Sequence, residues 1–374
     1  MGGNTFPNLA VPRMSPEIYN RVLVEYQSKL DTIFDRVVVP RDAPAKADYG
    51  DVDFLVQGHS KTDIWNELKT LLGSELEQHN GGSTSFAIPH PEIAGAHVQI
   101  DVELSPGDGT PDAAALFEWT RFIKGDSDMM QIIGISHRAL GLTCTDTGFY
   151  VRVEQIEPYD KEKAKLFLTR DPNEAMKFYG LDTVKYWAGF RDETELFDWV
   201  SNGRFFAPAV FERRVEKSND RSRQAKRPMY RRFVEEYMPA HAEKNASTIW
   251  TRQEVLEEAI KYFSKQTKYN QKIAEHMSRQ NELTLWGQIR TVLPIASKSS
   301  QDFALKSLRR WVFFQNGQPR IATEANLDDP AIWTNLMAPG SLASLLTWVT
   351  DHWEEAKVLE KARANAAKSA ALAG

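Results

Sequence analysis

The sequence predicts an α+β protein: a sheet flanked by helices in the first part of the chain, followed by a mainly helical second domain. Three observations lead there. Between residues 15 and 105, segments of helical period alternate with short apolar runs of strand length. The last of these runs, 97–104, places Val98, Ile100, Val102 and Leu104 on one face and His97, Gln99, Asp101 and Glu103 on the other. From Arg227 onward nearly every segment has helical period, with breaks at Pro239, Pro294, Gly317 and Pro339-Gly340.

Each element has a local reason. Ser15-Pro16 opens the first helix, a hydroxyl cap followed by proline at the first helical position. Ile18, Val22, Tyr26, Leu30 and Ile33 then recur at helical spacing. Val37-Val38-Val39 is a short buried strand stopped by Pro40, and a polar loop runs from Arg41 to Gly50. A second strand starts acidic and continues apolar, Asp51-Val52-Asp53-Phe54-Leu55-Val56. Ser60, with Asp63 three residues on, is expected to cap the next helix, whose stripe is Ile64, Leu68, Leu71 and Leu72 and whose stop is Gly73. Gly81-Gly82 turns into a strand over 83–88. Beyond Pro106, helices are expected at 113–124, 128–139 and 193–200, and short strands at 148–153 and 165–169.

The 374 residues divide into an expected catalytic-type domain at 15–150, a mainly helical domain at 151–355 and an Ala-rich tail at 356–374. The tail has high helix propensity but little to bury after Leu359, so fraying is expected. No run approaches the ~20 apolar residues that span a bilayer, and 42% hydrophobic with 26% charged residues is ordinary for a globular protein. The N-terminal residues lack the pattern of a signal peptide. A single cysteine, Cys144, excludes an internal disulfide and favours the cytoplasm or nucleus. The net charge of −5 provides no global basic field, so any nucleic-acid contact needs a local patch.

The chemistry is concentrated in three acids. Two aspartates at i and i+2 on a strand share a face, and a third carboxylate from a neighbouring strand completes a set able to grip hard divalent cations. Asp51, Asp53 and Asp101 supply that pattern. Phosphoryl and nucleotidyl transfer use two such cations, one on the attacking hydroxyl and one on the leaving pyrophosphate. The stretches Asp48-Tyr49-Gly50-Asp51-Val52-Asp53-Phe54-Leu55-Val56 and His97-Val98-Gln99-Ile100-Asp101-Val102, with the helix and strand before them, resemble the DNA polymerase beta-like nucleotidyltransferase superfamily over roughly residues 15–105. The resemblance implies a nucleotidyltransferase-like mixed sheet and Asp51, Asp53 and Asp101 as catalytic metal ligands. It also implies Mg²⁺ or Mn²⁺ at a two-ion site, and transfer of NMP from an NTP to a hydroxyl on RNA, protein or another acceptor.

One departure matters. Where that superfamily has a Gly-Ser pair after its first strand, this chain has Val39-Pro40-Arg41, and proline has no N–H to donate to phosphate. Arg41 and Lys46 are the expected replacements, binding the triphosphate by charge. The alternative is a catalytically inactive scaffold that keeps the fold. Glu103 is either a solvated neighbour or a support to the ligands, and Asp48 belongs to the turn before Gly50. Other metal patterns fail: the EF-hand spacing is absent, as is a Gly-rich loop ending in Gly-Lys-Ser/Thr. Cys144, His97 and His137 lack partners in sequence and are expected in packing roles.

A third possibility rests on the basic stretch 213–232. Arg213, Arg214, Lys217, Arg221, Arg223, Lys226, Arg227, Arg231 and Arg232 cluster there with Tyr230 and Phe233 interleaved. Such a stretch can track an RNA backbone and stack a base, or be a solvated face partly offset by Glu216 and Asp220. Trp250, Tyr262, Trp286, Trp311, Trp333 and Trp348 recur at helix-like intervals and are expected in cores.

Overall fold

A computed structural model describes residues 3–59, 63–208, 221–222, 225–244, 250–328 and 331–373. Two compact units divide the chain, Met1–Gln266 and Thr267–Gly374. The first is mixed α and β, and the second is mainly helical.

The first unit begins with helix α1 (Pro16–Leu30), whose N-cap Ser15 accepts from the Ile18 N–H. Strands β1 (Arg36–Val38) and β2 (Asp51–Gln57) follow. Helix α2 (Ile64–Leu72) leads to β3 (Leu76–Asn80), β4 (Ser83–Pro89) and β5 (His97–Leu104). These strands form one sheet in the order β1-β2-β5-β4-β3. Every pairing is antiparallel except β2 with β5, which is parallel. The sheet is therefore mixed, as expected.

Strand alternation decides its faces. Val52, Phe54 and Val56 of β2, Phe86 and Ile88 of β4, and Val98, Ile100 and Val102 of β5 bury one face against Tyr19, Val22, Tyr26 and Leu30 of α1 and Ile64, Leu68 and Leu72 of α2. Burying that many large apolar side chains, at about 1.5–3 kcal/mol each, dominates the unit's stability. The opposite face carries the acids. Asp63 caps α2: its carboxylate accepts from Asn66 N–H at 3.5 Å and Asn66 Nδ2 at 2.6 Å. Ser60 lies outside the described residues. Gly73 ends α2 in the left-handed conformation at φ 65°, a position that costs any other residue strain.

Next come α3 (Ala113–Lys124) and α4 (Met129–Ala139). A small antiparallel sheet of β6 (Leu142–Thr145), β7 (Gly148–Arg152) and β8 (Lys165–Thr169) follows, with the short helix α5 (Lys161–Ala164) before β8. Helices α6 (Pro172–Tyr179), α7 (Thr183–Ala188) and α8 (Glu193–Ser201) continue the chain. Strand β6 was not apparent in the sequence, where Gly141 reads only as the stop of α4.

The second unit packs helices Gln266–Val292, Lys298–Trp311 and Leu342–Ala373 around Trp286, Trp311, Trp333 and Trp353. Its mainly helical texture is interrupted in one place. Val312–Gln315 and Gln318–Ile321 form a β-hairpin across Asn316-Gly317, both at positive φ (50° and 75°). Asn-Gly is the strongest two-residue hairpin signal, and the expectation of a mere helix break at Gly317 missed it. The last helix extends through the Ala-rich tail, and inside it Glu360 is buried. Among the described residues no helix is long and apolar enough to cross a membrane.

Glu360 accepts from Arg363 Nε at 2.9 Å, from Trp311 Nε1 at 3.1 Å and from Arg310. Hydrogen bonds from Arg363 foremost, then Trp311 and Arg310, hold its carboxyl down at about 2. Its contribution is thus complete above the ordinary carboxylate range and fades only as the pH falls toward 2. Glu360→Ala should cost about 3 kcal/mol in chemical denaturation, because it strands two guanidinium groups beside a core indole. A loss below about 1 kcal/mol would show that the cluster is peripheral.

Candidate metal and phosphate site

The parallel register of β2 and β5 sets the site. Asp51 pairs with Gln99 and Asp53 with Asp101, so the three aspartates of the sequence pattern stand on one face of two adjacent strands. Asp51 and Asp101 are half-buried, while Asp53 opens to solvent within a setting crowded by protein. Desolvation, and then the charge of Asp101, raises the Asp51 carboxyl to about 6. Desolvation, followed by the charges of Asp51, Asp101 and Asp42, raises Asp53 to about 7. Asp101 is raised as well by desolvation, against the lowering effect of hydrogen bonds from Ser85 and Gln99.

The acids are aligned but not drawn together. Among the described residues, no three His, Cys, Asp or Glu side chains are gathered so as to hold a metal ion as they stand. The oxygens of Asp51 and Asp101 are engaged by donors instead. Gly3 N–H donates to Asp51 Oδ2 at 3.2 Å, and Gln99 Nε2 lies 3.0 Å from both oxygens of Asp101. The donor set suits a hard cation in kind: carboxylate oxygens, on rigid strands, repelling one another for want of positive charge. Asp101 and Asp51 would have to give up N–H partners to ligate one.

Two cations act on the cluster electrostatically, Lys46 on Asp51 and Lys124 on Asp53. Lys46 is ion-paired with Asp42 and lies 4.6 Å from the centre of the Tyr49 ring. Asp42 also accepts from Tyr19 Oη at 2.8 Å, and Tyr19 stacks on Tyr49 at 3.8 Å, which ties the 41–50 loop to α1. Lys124, the last residue of α3, pairs with Glu103. Asp42 and Lys124 are parts of the site that the sequence pattern did not reveal, because their proximity depends on the loop and on where α3 ends.

Arg41 sits elsewhere. Its Nε and Nη2 form a bidentate pair with Asp126 at 2.7 Å each, and its Nη1 donates to Tyr186 O at 2.8 Å. The guanidinium stacks over the Tyr186 ring at 4.6 Å. Asp126 is fully buried in the α3–α4 connection, where Asp126 and Ser127 both have positive φ. The side chain expected to hold a triphosphate is thus employed in bracing the loop after β1 against that connection.

The basic stretch is only partly described. Arg213, Arg214, Lys217 and Arg223 fall outside the described residues. Arg227 is paired with the buried Asp128 at 2.6 Å, and Arg232 with Glu193. Arg221 and Arg231 are exposed. Tyr230 and Phe233 are fully buried, so they are core residues and not stacking platforms for a base. His137 is also core: its Nδ1 bonds to Tyr179 Oη, and desolvation lowers its pKa to about 3. An open cavity of about 660 Å³ lies beside Phe167, Arg170 and Trp187, and none of the three aspartates lines it.

No family model matches the chain, and no curated protein matches it. Among solved structures, it is similar to the polymerase beta of Leishmania infantum in a ternary P/T complex, at 12% identity and a TM-score of 0.33. That alignment covers 46% of this chain and 74% of the polymerase.

Two outcomes follow from the site's electrostatics. A carboxyl whose folded pKa is raised favours the folded state fully below its unfolded pKa and loses that advantage as the pH rises through the folded value. Asp53→Asn should therefore raise the melting temperature most at pH 8, above the folded value of about 7, by less at pH 5, and hardly at all below the ordinary aspartate value of 3.8. Equal shifts at pH 8 and pH 5 would show that the Asp53 carboxyl is not raised. Arg41→Ala, which leaves Asp126 buried and unpaired, should cost about 2–3 kcal/mol in urea denaturation, a discount on the usual range because Arg41 itself is one-third exposed.

Proposed function

We propose that this chain is a divalent-metal-dependent nucleotidyltransferase, transferring NMP from an NTP to a hydroxyl acceptor. The observation that carries the proposal is the parallel β2–β5 register, which sets Asp53 beside Asp101 and puts Asp51 on the same face. A scaffold protein gains nothing from crowding three carboxylates on neighbouring strands, since burial, then the charge of Asp101 on Asp51 and of Asp51 and Asp101 on Asp53, raises their pKa at the expense of stability near neutral pH.

In this proposal Asp51, Asp53 and Asp101 hold the cations. Mg²⁺ or Mn²⁺ would supply the charge that lowers the pKa of the acceptor hydroxyl and neutralises the departing pyrophosphate. The protein's own contribution is placement. The strands hold the three carboxylates rigidly, because their alternate residues are locked in the core against α1 and α2. Ser85 and Gln99 orient the Asp101 carboxylate. Lys46 and Lys124, which already act on the acids, are the cations best placed to meet phosphate oxygens. Arg41 supports the same loop from its pair with Asp126. The acceptor, RNA, protein or a smaller hydroxyl compound, is left to experiment, with Arg221 and Arg231 the exposed arginines of the basic stretch among the described residues.

A second proposal, a catalytically inactive scaffold of the same fold, is favoured by one observation: the donors of Arg41 are spent on Asp126 and on the Tyr186 carbonyl. One assay separates the two. Incubation with α-labelled NTPs, MnCl₂ and mixed RNA and protein acceptors should transfer label in the wild type and not in Asp53→Ala, a loss of at least about a hundredfold. Label absent with every donor, together with no thermal shift on adding Mn²⁺ and NTP, would leave the scaffold.

A further inference from the structure

We propose that the N-terminal strap, residues 3–14, is a latch over the acidic face, and that divalent cations load the site only when the first residues of the strap lift. The inference rests on the metal-dependent function proposed above. Gly3 N–H donates to Asp51 Oδ2 at 3.2 Å. Two residues on, Thr5 N–H donates to Gln99 Oε1 at 3.1 Å, and Thr5 Oγ1 lies 3.4 Å from Ser85 Oγ. Gln99 passes that grip along, with its Nε2 at 3.0 Å from both oxygens of Asp101. Two of the three aspartates are thus held by N–H donors that the strap supplies or backs.

The two ends of the strap are held differently. At its far end the hold is backbone pairing: His97 N–H to Ala10 O at 2.8 Å, and Met14 with Tyr49 in both directions at 2.7 and 3.0 Å. These bonds do not involve the acids. At its near end, Gly3 and Thr5 are held to the sheet by Asp51, Gln99 and Ser85, the groups that lie on the cation-binding face or orient it. A dication and an amide N–H compete for the same carboxylate lone pairs, and the dication carries far more charge. Residues 3–5 are therefore the part that yields, while the chain from the buried Phe6 onward stays as the hinge.

The seat of the near end is narrow. Gly3 has φ +75°, and a Cβ there would lie 2.4 Å from the Gly50 carbonyl oxygen. No larger residue fits without moving the strap, because the obstacle is backbone and not a flexible side chain. The consequence is a closed state in which Asp51 and Asp101 are engaged by donors and idle cation binding is suppressed. Opening exposes Asp51 and frees Gln99 to release Asp101.

Gly3→Val and Thr5→Pro test the latch in the full chain. The first collides with Gly50, and the second removes the N–H that holds Gln99; neither alters an aspartate. Mn²⁺ affinity is measured by titration at pH 8 with MnCl₂ alone, and strap lifting by the rate of amide hydrogen exchange at residue 3, whose N–H is the one on Asp51. Both variants should exchange faster there and should bind Mn²⁺ about tenfold more tightly than the wild type, the size expected for losing one charge-assisted competitor. Faster exchange with unchanged or weaker Mn²⁺ binding would overturn the latch and leave the metal site standing. Unaltered exchange in both variants would overturn the seat at Gly50. If neither variant nor the wild type binds Mn²⁺, the metal-dependent function itself falls, and the latch with it.

Discussion

The parallel pairing of β2 with β5 is the constraint from which the rest of the first unit follows. In a sheet whose other neighbours all run antiparallel, this one pairing forces the chain to cross over through α2 and the β3–β4 hairpin before β5 can be laid down beside β2. The crossover helix covers the same face as α1, which closes the apolar side. The face left over carries Asp51 and Asp53 in register with Gln99 and Asp101. A shift of one residue in either strand would move every acid into the core and every core residue out. Hydrophobic burial on one side thus fixes electrostatic crowding on the other.

That crowding has local supports that lie away from the acids themselves. The loop from Arg41 to Gly50 is pinned at both ends, by Arg41 to the buried Asp126 and by Met14 to Tyr49. In between, Asp42 links Lys46 and Tyr19, so the loop adds a fourth carboxylate and a lysine to the neighbourhood. From the other side, α3 ends at Lys124 beside Glu103. A proline after the first strand rules out one source of backbone donors, and the structure instead surrounds the acids with ammonium groups and with the amides of an N-terminal strap.

Much of this was legible in the residues. The alternation over 97–104, the acidic start of 51–56 and the hydroxyl-proline opening of α1 each reflect a local physical rule, and α3 runs over exactly the residues its periodicity marks. Other features were hidden because they depend on tertiary placement. The strand Leu76–Asn80 has a largely exposed, polar edge and therefore no alternation to read. The burial of Tyr230 and Phe233 depends on what packs against them, not on the arginines beside them in sequence. The bidentate duty of Arg41 requires Asp126, which lies 85 residues away. The hairpin at Asn316-Gly317 is a different case: its signal was local and was outweighed by the helical texture around it.

The central claim is that Asp51, Asp53 and Asp101 form a divalent-cation site. Crystals grown or soaked at pH 8 with MnCl₂, with anomalous data collected at the manganese edge, test it most directly. The account predicts at least one anomalous peak within about 2.2 Å of oxygens from two or more of these aspartates, with Gly3 or Gln99 displaced from its present acceptor. Saturating Mn²⁺ with no peak on this face, in crystals that show manganese elsewhere or nowhere, would contradict it.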